Sequence, residues 1–187
     1  LSFFSQGQYL NPMVIRIAGL AYQKGFGGHF HNDNSLTIFR DIPGLILACP
    51  SNGSDAVKML RTATKEAYTK GRIIVFIEPI ALYMVKDLHN PKDNKWSSKY
   101  PGINEELKIG EFITYGKGKA LTIISYGNGL YHSLKAQPEI EKKINRKIKI
   151  IDICWLSDIN IDVLLKEIGQ CKKVLIVDEC RRSGCHG

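Results

Sequence analysis

The chain has 187 residues, 44% of them hydrophobic and 24% charged, which is enough to bury a core without disulfide staples and too apolar for a disordered chain. No apolar run is long enough to span a bilayer. The net charge of +8 is spread along the chain, with nine Lys or Arg against six Asp or Glu in residues 1–90 and seventeen against twelve in residues 91–187. This balance, with no aromatic rings interleaved in the densest basic run, Lys142 to Lys149, argues for a solvated surface rather than a nucleic-acid groove. The five cysteines are odd in number and scattered, as expected of reduced thiols in a cytoplasmic protein. The opening Leu1-Ser2-Phe3-Phe4 lacks Met and does not read as a signal peptide, so the chain is expected to be a piece of a longer polypeptide.

Short apolar runs alternate with helical patterns, the pattern of βαβ units around parallel sheets, so the fold class is α/β. The first strand is expected over 13–18, followed by a Gly-rich stretch from Gly19 to Gly28 and a helix near 35–40. A second strand over 45–49 ends at Pro50, and Ser54-Asp55 is placed at the cap of the next helix. Arg72 to Ile77, apolar at five of six positions, reads as a strand buried on both faces. From Val85 to about Lys119 the composition turns to Asp, Asn, Lys, Pro and Gly around Trp96 and Tyr100, which predicts an interdomain connection wrapping a surface. The alternation then resumes with a strand over 120–125, a helix from near Asn128 that Pro138 should break after Gln137, a strand over 148–152, a helix over 162–168 and a strand over 174–177. The expected division is residues 1–84, a connection over 85–119, and residues 120–187, with both α/β units cut short.

The densest candidate chemistry lies in Gly25-Phe26-Gly27-Gly28-His29-Phe30-His31-Asn32-Asp33-Asn34. If this stretch is extended, His29, His31 and Asp33 share one side, as a metal-dependent hydrolase could use, although further ligands would have to come from elsewhere. Alternatively one histidine exchanges a proton with a bound substrate, since imidazole does so near neutral pH and a Gly-rich turn permits close approach. A third reading leaves the histidines as ordinary solvated residues. Cys180, Cys185 and His186 have the residue types of a metal half-site without a second half, and read instead as a helix-cap region.

The ordered series Pro12-Met13-Val14-Ile15-Arg16, a Gly-rich turn, His31, Asp41-Ile42-Pro43-Gly44-Leu45, Pro50-Ser51, Asp55-Ala56 and Phe76-Ile77-Glu78-Pro79-Ile80-Ala81-Leu82-Tyr83 resembles the beta subunit of thiamine-diphosphate-dependent 2-oxoacid dehydrogenases. These are the decarboxylating components of the pyruvate and branched-chain complexes. Leu121 to Gly129, Ile151 to Leu156 and Val177 to Gly184 continue the resemblance into a transketolase C-terminal-type domain. It implies a truncated pyrimidine-binding-type domain over 1–84 followed by a truncated C-terminal-type domain over 120–187.

The resemblance implies a role for His31, which precedes Pro43 by the family's twelve residues, in proton exchange during decarboxylation and acyl transfer to a lipoyl arm. His29 matches no family catalytic position, and Asn32-Asp33-Asn34 departs from the usual Ser-Gln, which bears on substrate preference. Phe4 matches the aromatic residue that packs on the cofactor's aminopyrimidine ring; plain core is its alternative role. Tyr68-Thr69-Lys70-Gly71-Arg72 departs from the monovalent-cation segment of some relatives, so that site is not expected. The cofactor-activating Glu would lie upstream of Leu1, and the magnesium-binding motif would belong to an alpha subunit. The implied partners are that alpha subunit, a second beta subunit in a heterotetramer, and the lipoyl domain of an acyltransferase. The implied substrate is 2-oxoisovalerate or pyruvate, with Phe30-His31-Asn32 and Ile80 to Tyr83 leaning toward the branched-chain type. The competing expectations are a metal-dependent hydrolase and a non-catalytic assembly module.

Overall fold

The computed structural model describes residues 4–20 and 36–179. Three parallel strands form the first sheet in the order β1 (Met13–Gly19), β3 (Ile73–Pro79), β2 (Leu45–Ala48), with Ile15 and Leu47 both registered on Val75. The central strand is buried at Ile74 through Ile77, as its unbroken apolar run requires, whereas Met13 and Ile15 on the edge strand are exposed.

Between these strands lie a short helix, α1 (Thr37–Arg40), and a long one, α2 (Gly53–Lys70). The cap of α2 is Asn52, two residues before the predicted Ser54. Its side chain accepts from the Asp55 backbone N–H at 3.1 Å, and its Nδ2 donates back to the Asp55 carboxylate. Met59, Thr62, Ala63 and Ala67 face the sheet at helical spacing, and Gly71 closes the helix in a left-handed conformation at φ +65°.

The second sheet runs β4 (Ile113–Tyr115), β6 (Lys149–Asp152), β5 (Thr122–Ser125), β7 (Val174–Ile176), parallel except for the β4–β6 pair. Helix α3 (Gly127–Ile144) follows β5, and α4 (Ile161–Ile168), capped by Asn160, follows β6. The break predicted at Pro138 is absent. Pro138 is exposed, so the one missing donor falls on the solvent side. The last turn is held by Ile140 on the core and by Glu141, whose carboxylate accepts from Gln137 Nε2 at 3.0 Å and from the Ile148 N–H at 3.2 Å and pairs with Lys147 at 2.6 Å.

The segment over 85–119 is more than a surface wrap. Trp96 packs edge-on against Tyr131, with ring centroids 5.0 Å apart, and Leu107 is buried beside Trp155 and Ile46. Its turns are organised by carboxylates: Asp93 accepts from the backbone N–H groups of Leu88, His89, Asn90 and Lys95, and Asp87 from those of Lys92 and Asn94.

The two sheets share their core. Leu20, Leu36, Val75 and Ile77 pack with Tyr126, Ile151, Ile153 and Leu156 in one cluster. The end of β2 also bonds directly to the chain after β6: the Cys49 N–H donates to the Cys154 carbonyl at 2.7 Å, and the Leu156 N–H to the Leu47 carbonyl at 2.7 Å.

Candidate functional site

The carboxyl ends of β1, β2 and β5 converge where the two sheets meet, the kind of crevice in which α/β proteins bind ligands. At the end of β1, Leu20 is fully buried and adopts φ +51°, a left-handed conformation that costs a residue with a Cβ roughly 1–2 kcal/mol. Leu20 and Leu36, the described residues flanking segment 21–35, are both buried in the shared cluster. His29, His31 and Asp33 fall within that segment and lie outside the described residues, as do Cys180, Cys185 and His186. Phe4 is described. It precedes a turn closed by Gln8 N–H on the Ser5 carbonyl at 3.1 Å, and the residue is 90% exposed.

The second unit meets this edge through Tyr126-Gly127-Asn128-Gly129. Gly127 sits at φ +53°, and a Cβ on it would lie 2.7 Å from Leu20 Cδ1. Its N–H donates to Ser51 Oγ at 2.8 Å. Gly129 is equally required, because a Cβ there would fall 2.2 Å from Ser125 Oγ, itself donating to the Val177 carbonyl at 2.8 Å. Asn128 Nδ2 donates both to the Leu20 carbonyl at 2.8 Å and to Glu179 Oε1 at 3.0 Å, and Tyr126 donates to Asp178 Oδ1 at 2.7 Å.

Beneath these contacts lies Asp152, fully buried at the end of β6. Burial pushes its carboxyl up to about 7; nearby Asp55 adds to the rise, while hydrogen bonds from Ser51 and Cys154 oppose it. The site therefore holds a carboxyl that can keep its proton near neutral pH. Burial likewise raises the Cys49 and Cys154 thiols, which makes them poor nucleophiles. Glu179 is also raised, by burial first, against the bond from Asn128.

A cleft of about 680 Å³ opens beside the ends of β2 and β3, with Phe76 and Trp96 in its apolar wall and Arg16, Glu78 and Tyr83 on its rim. Glu78 pairs with Arg16 and accepts from the Tyr83 hydroxyl. Burial pushes the Glu78 carboxyl up, but these two donors outweigh it and hold the group below its usual range, while burial and Glu78 push Tyr83 up to about 12. Among the described residues, no three His, Cys, Asp or Glu side chains stand close enough to hold a metal ion. No described helix is long and apolar enough to cross a membrane.

Sequence reasoning did not find Asn128, Glu179, Asp152 or the left-handed Leu20. The available signal was Gly-Asn-Gly at a strand-to-helix turn, where two glycines mark a close backbone approach.

Residues 110–187 match the family described as Transketolase, C-terminal domain. The pyruvate dehydrogenase E1 component subunit beta of Staphylococcus epidermidis is 27% identical over 96% of this chain and 50% of its own length. The subunits of the same name from Cyanidium caldarium and Bacillus subtilis are 27% and 24% identical, over 98% and 97% of this chain and 51% of each relative. The chain thus spans about half the length of these curated relatives. A solved split-gene transketolase, described as an inactive beta4 tetramer, superposes with a TM-score of 0.62 at 17% identity, over 92% of this chain and 49% of that one. This is the α/β fold expected from the strand and helix alternation. The chain is transketolase-like, with residues 110–187 matching that family's C-terminal domain and nearly its whole length similar to pyruvate dehydrogenase E1 beta subunits.

Proposed function

We propose that this chain is part of the beta subunit of a thiamine-diphosphate-dependent 2-oxoacid dehydrogenase, which oxidatively decarboxylates a 2-oxoacid and passes the acyl group to a lipoyl domain. The observation that carries this reading is the similarity to pyruvate dehydrogenase E1 beta subunits along 96–98% of the chain. In this reading residues 1–84 form the pyrimidine-binding-type unit, 85–119 the connection and 120–187 the C-terminal-type unit.

Thiamine diphosphate, when bound, supplies the carbanion-stabilising chemistry, and the protein orients it and manages protons. Phe4 is assigned the stacking on the cofactor's aminopyrimidine ring, since a flat heteroaromatic packs well on an aromatic side chain. His31 is assigned the proton exchange with substrate or lipoyl sulfur. Magnesium is assigned to the alpha subunit. The partners are that subunit, a second beta subunit and the acyltransferase's lipoyl domain, in a heterotetramer. The names of the relatives favour pyruvate, and 2-oxoisovalerate is the second substrate of this reading. The free thiols at Cys49, Cys154 and Cys171 fit a cytoplasmic location.

The test is reconstitution of the full-length polypeptide with its alpha partner, thiamine diphosphate and magnesium, measuring acceptor-coupled decarboxylation of pyruvate and of 2-oxoisovalerate. Turnover of either that needs both chains supports the reading. No turnover of any 2-oxoacid, or equal turnover by the alpha partner alone, overturns it and leaves an assembly module.

A further inference from the structure

The net charge of +8 is dispersed along the sequence, but the fold gathers it. Strands β5, β6 and β7 are parallel, so the stretches that lead into them meet at one edge of the second sheet. Residues 116–121, 141–149 and 165–173 are joined there through the backbone. Lys149 N–H donates to the Leu121 carbonyl at 2.9 Å, Thr122 N–H to the Lys173 carbonyl at 2.9 Å, and Gly118 N–H to the Ile148 carbonyl at 3.2 Å. These three stretches hold ten Lys or Arg against two Glu, an excess as large as that of the whole chain.

Packing does not call for these cations. Lys117, Lys119, Arg146, Lys172 and Lys173 are exposed, and none of the five makes an ion pair among the described residues. Lys142, Lys143 and Lys166, in the last turns of α3 and α4, offset the helix dipoles, which leaves the cations of the strand-entrance loops unexplained. Like charges gathered in this way repel one another and cost stability.

The chemistry of the edge favours carboxylates. Its two acidic side chains are both clasped by lysines, Glu141 by Lys147 at 2.6 Å and Glu167 by Lys149 at 2.8 Å. Lys147 first, with Gln137 beside it, holds the Glu141 carboxyl down at about 2. Nine of the ten cations are Lys, not the Arg favoured for nucleic-acid recognition, and the three stretches contain no Phe, Trp or Tyr. Bases would find no ring to stack on, and a lipid surface no aromatic anchor.

We propose that this edge is a docking surface for an acidic segment of a partner polypeptide, laid extended across the entrances of β6, β5 and β7 and held by Lys117, Lys119, Arg146, Lys172 and Lys173. The three entrances span about 10 Å at the usual strand spacing, a distance that about three residues of an extended chain cross. Such docking does not depend on the function proposed above.

The test uses the full-length polypeptide with its partner subunits and a fluorescent peptide of about ten residues in which Glu alternates with Ser, read by anisotropy. Kd should lie below about 100 µM at about 50 mM salt and rise about tenfold or more by about 300 mM, because salt screens exposed charges. The fourfold variant Lys117→Ser, Lys119→Ser, Lys172→Ser, Lys173→Ser should bind about tenfold or more weakly with no fall in thermal midpoint, since it relieves repulsion. Lys172→Ser with Lys173→Ser makes the same comparison should the fourfold variant not assemble, with a loss of about threefold. A control set of exposed lysines elsewhere, Lys86→Ser, Lys95→Ser, Lys99→Ser and Lys108→Ser, should change Kd less than about twofold.

No binding at about 100 µM protein and about 50 mM salt, equal binding by the edge variants, or an equal loss in the control set would overturn the proposal. So would tighter binding, lost in the same edge variants, of a DNA duplex or of vesicles containing phosphatidylserine, either of which would assign the edge to that surface instead.

Discussion

The backbone N–H of Gly127 donates to Ser51 Oγ at 2.8 Å, a buried bond between residues 76 positions apart that joins the start of α3 to the end of β2. This side chain satisfies a donor at the start of the helix that would otherwise be buried without a partner. Ser51→Ala leaves the Gly127 N–H without that partner and should lower stability by about 1–3 kcal/mol in urea unfolding. A change below about 0.5 kcal/mol would mean that water replaces the hydroxyl.

Gly127→Ala should be more severe. Its left-handed φ and the 2.7 Å approach to Leu20 Cδ1 act together, and Leu20 cannot retreat because it is itself fully buried. A loss of about 2–4 kcal/mol is expected from overpacking plus backbone strain, read as a fall in the unfolding midpoint. A neutral result would show that the end of β1 shifts freely.

Asp152 should make stability fall as pH rises. Its carboxyl sits near 7 when folded, against an ordinary value of 3.8, so the folded state holds a proton that the unfolded chain releases. The resulting stability is complete below about pH 4 and is lost as pH climbs through 7. Asp152→Asn keeps the shape without the titration, so its midpoint relative to the unaltered protein should rise between pH 4 and 7, by on the order of 1.4 kcal/mol per unit of pKa difference. A pH-independent difference between the two proteins would contradict the buried, proton-holding carboxyl.

Asn52, and not Ser54, caps α2. Asn52→Ala should therefore cost about 1 kcal/mol and Ser54→Ala much less, as compared by thermal unfolding. The reverse order would restore the cap position predicted from sequence.

The sequence exposed the alternation well, because strands such as Ile73–Pro79 are continuous apolar runs and α2 keeps its buried residues on one helical stripe. It misled at Pro138, where tertiary support from Ile140 and Glu141 carries the helix past a local breaker. It gave little warning of Ile113–Tyr115, three residues whose pairing with β6 is set by the sheet and not by local pattern. The site was legible only in part. Phe4 and His31 are proposals taken from motif order, whereas Asn128, Glu179 and Asp152 acquire meaning from partners far away in the chain, which no local spacing encodes.

The most direct measurement is steady-state turnover of a His31→Ala variant in the reconstituted full-length enzyme, with assembly checked by light scattering. General acid–base help is worth roughly 10²–10⁴ in rate, so turnover should fall by at least about a hundredfold while the subunits still associate. Turnover equal to that of the unaltered enzyme, in an assembly of unchanged mass, would contradict the assignment of proton transfer to His31.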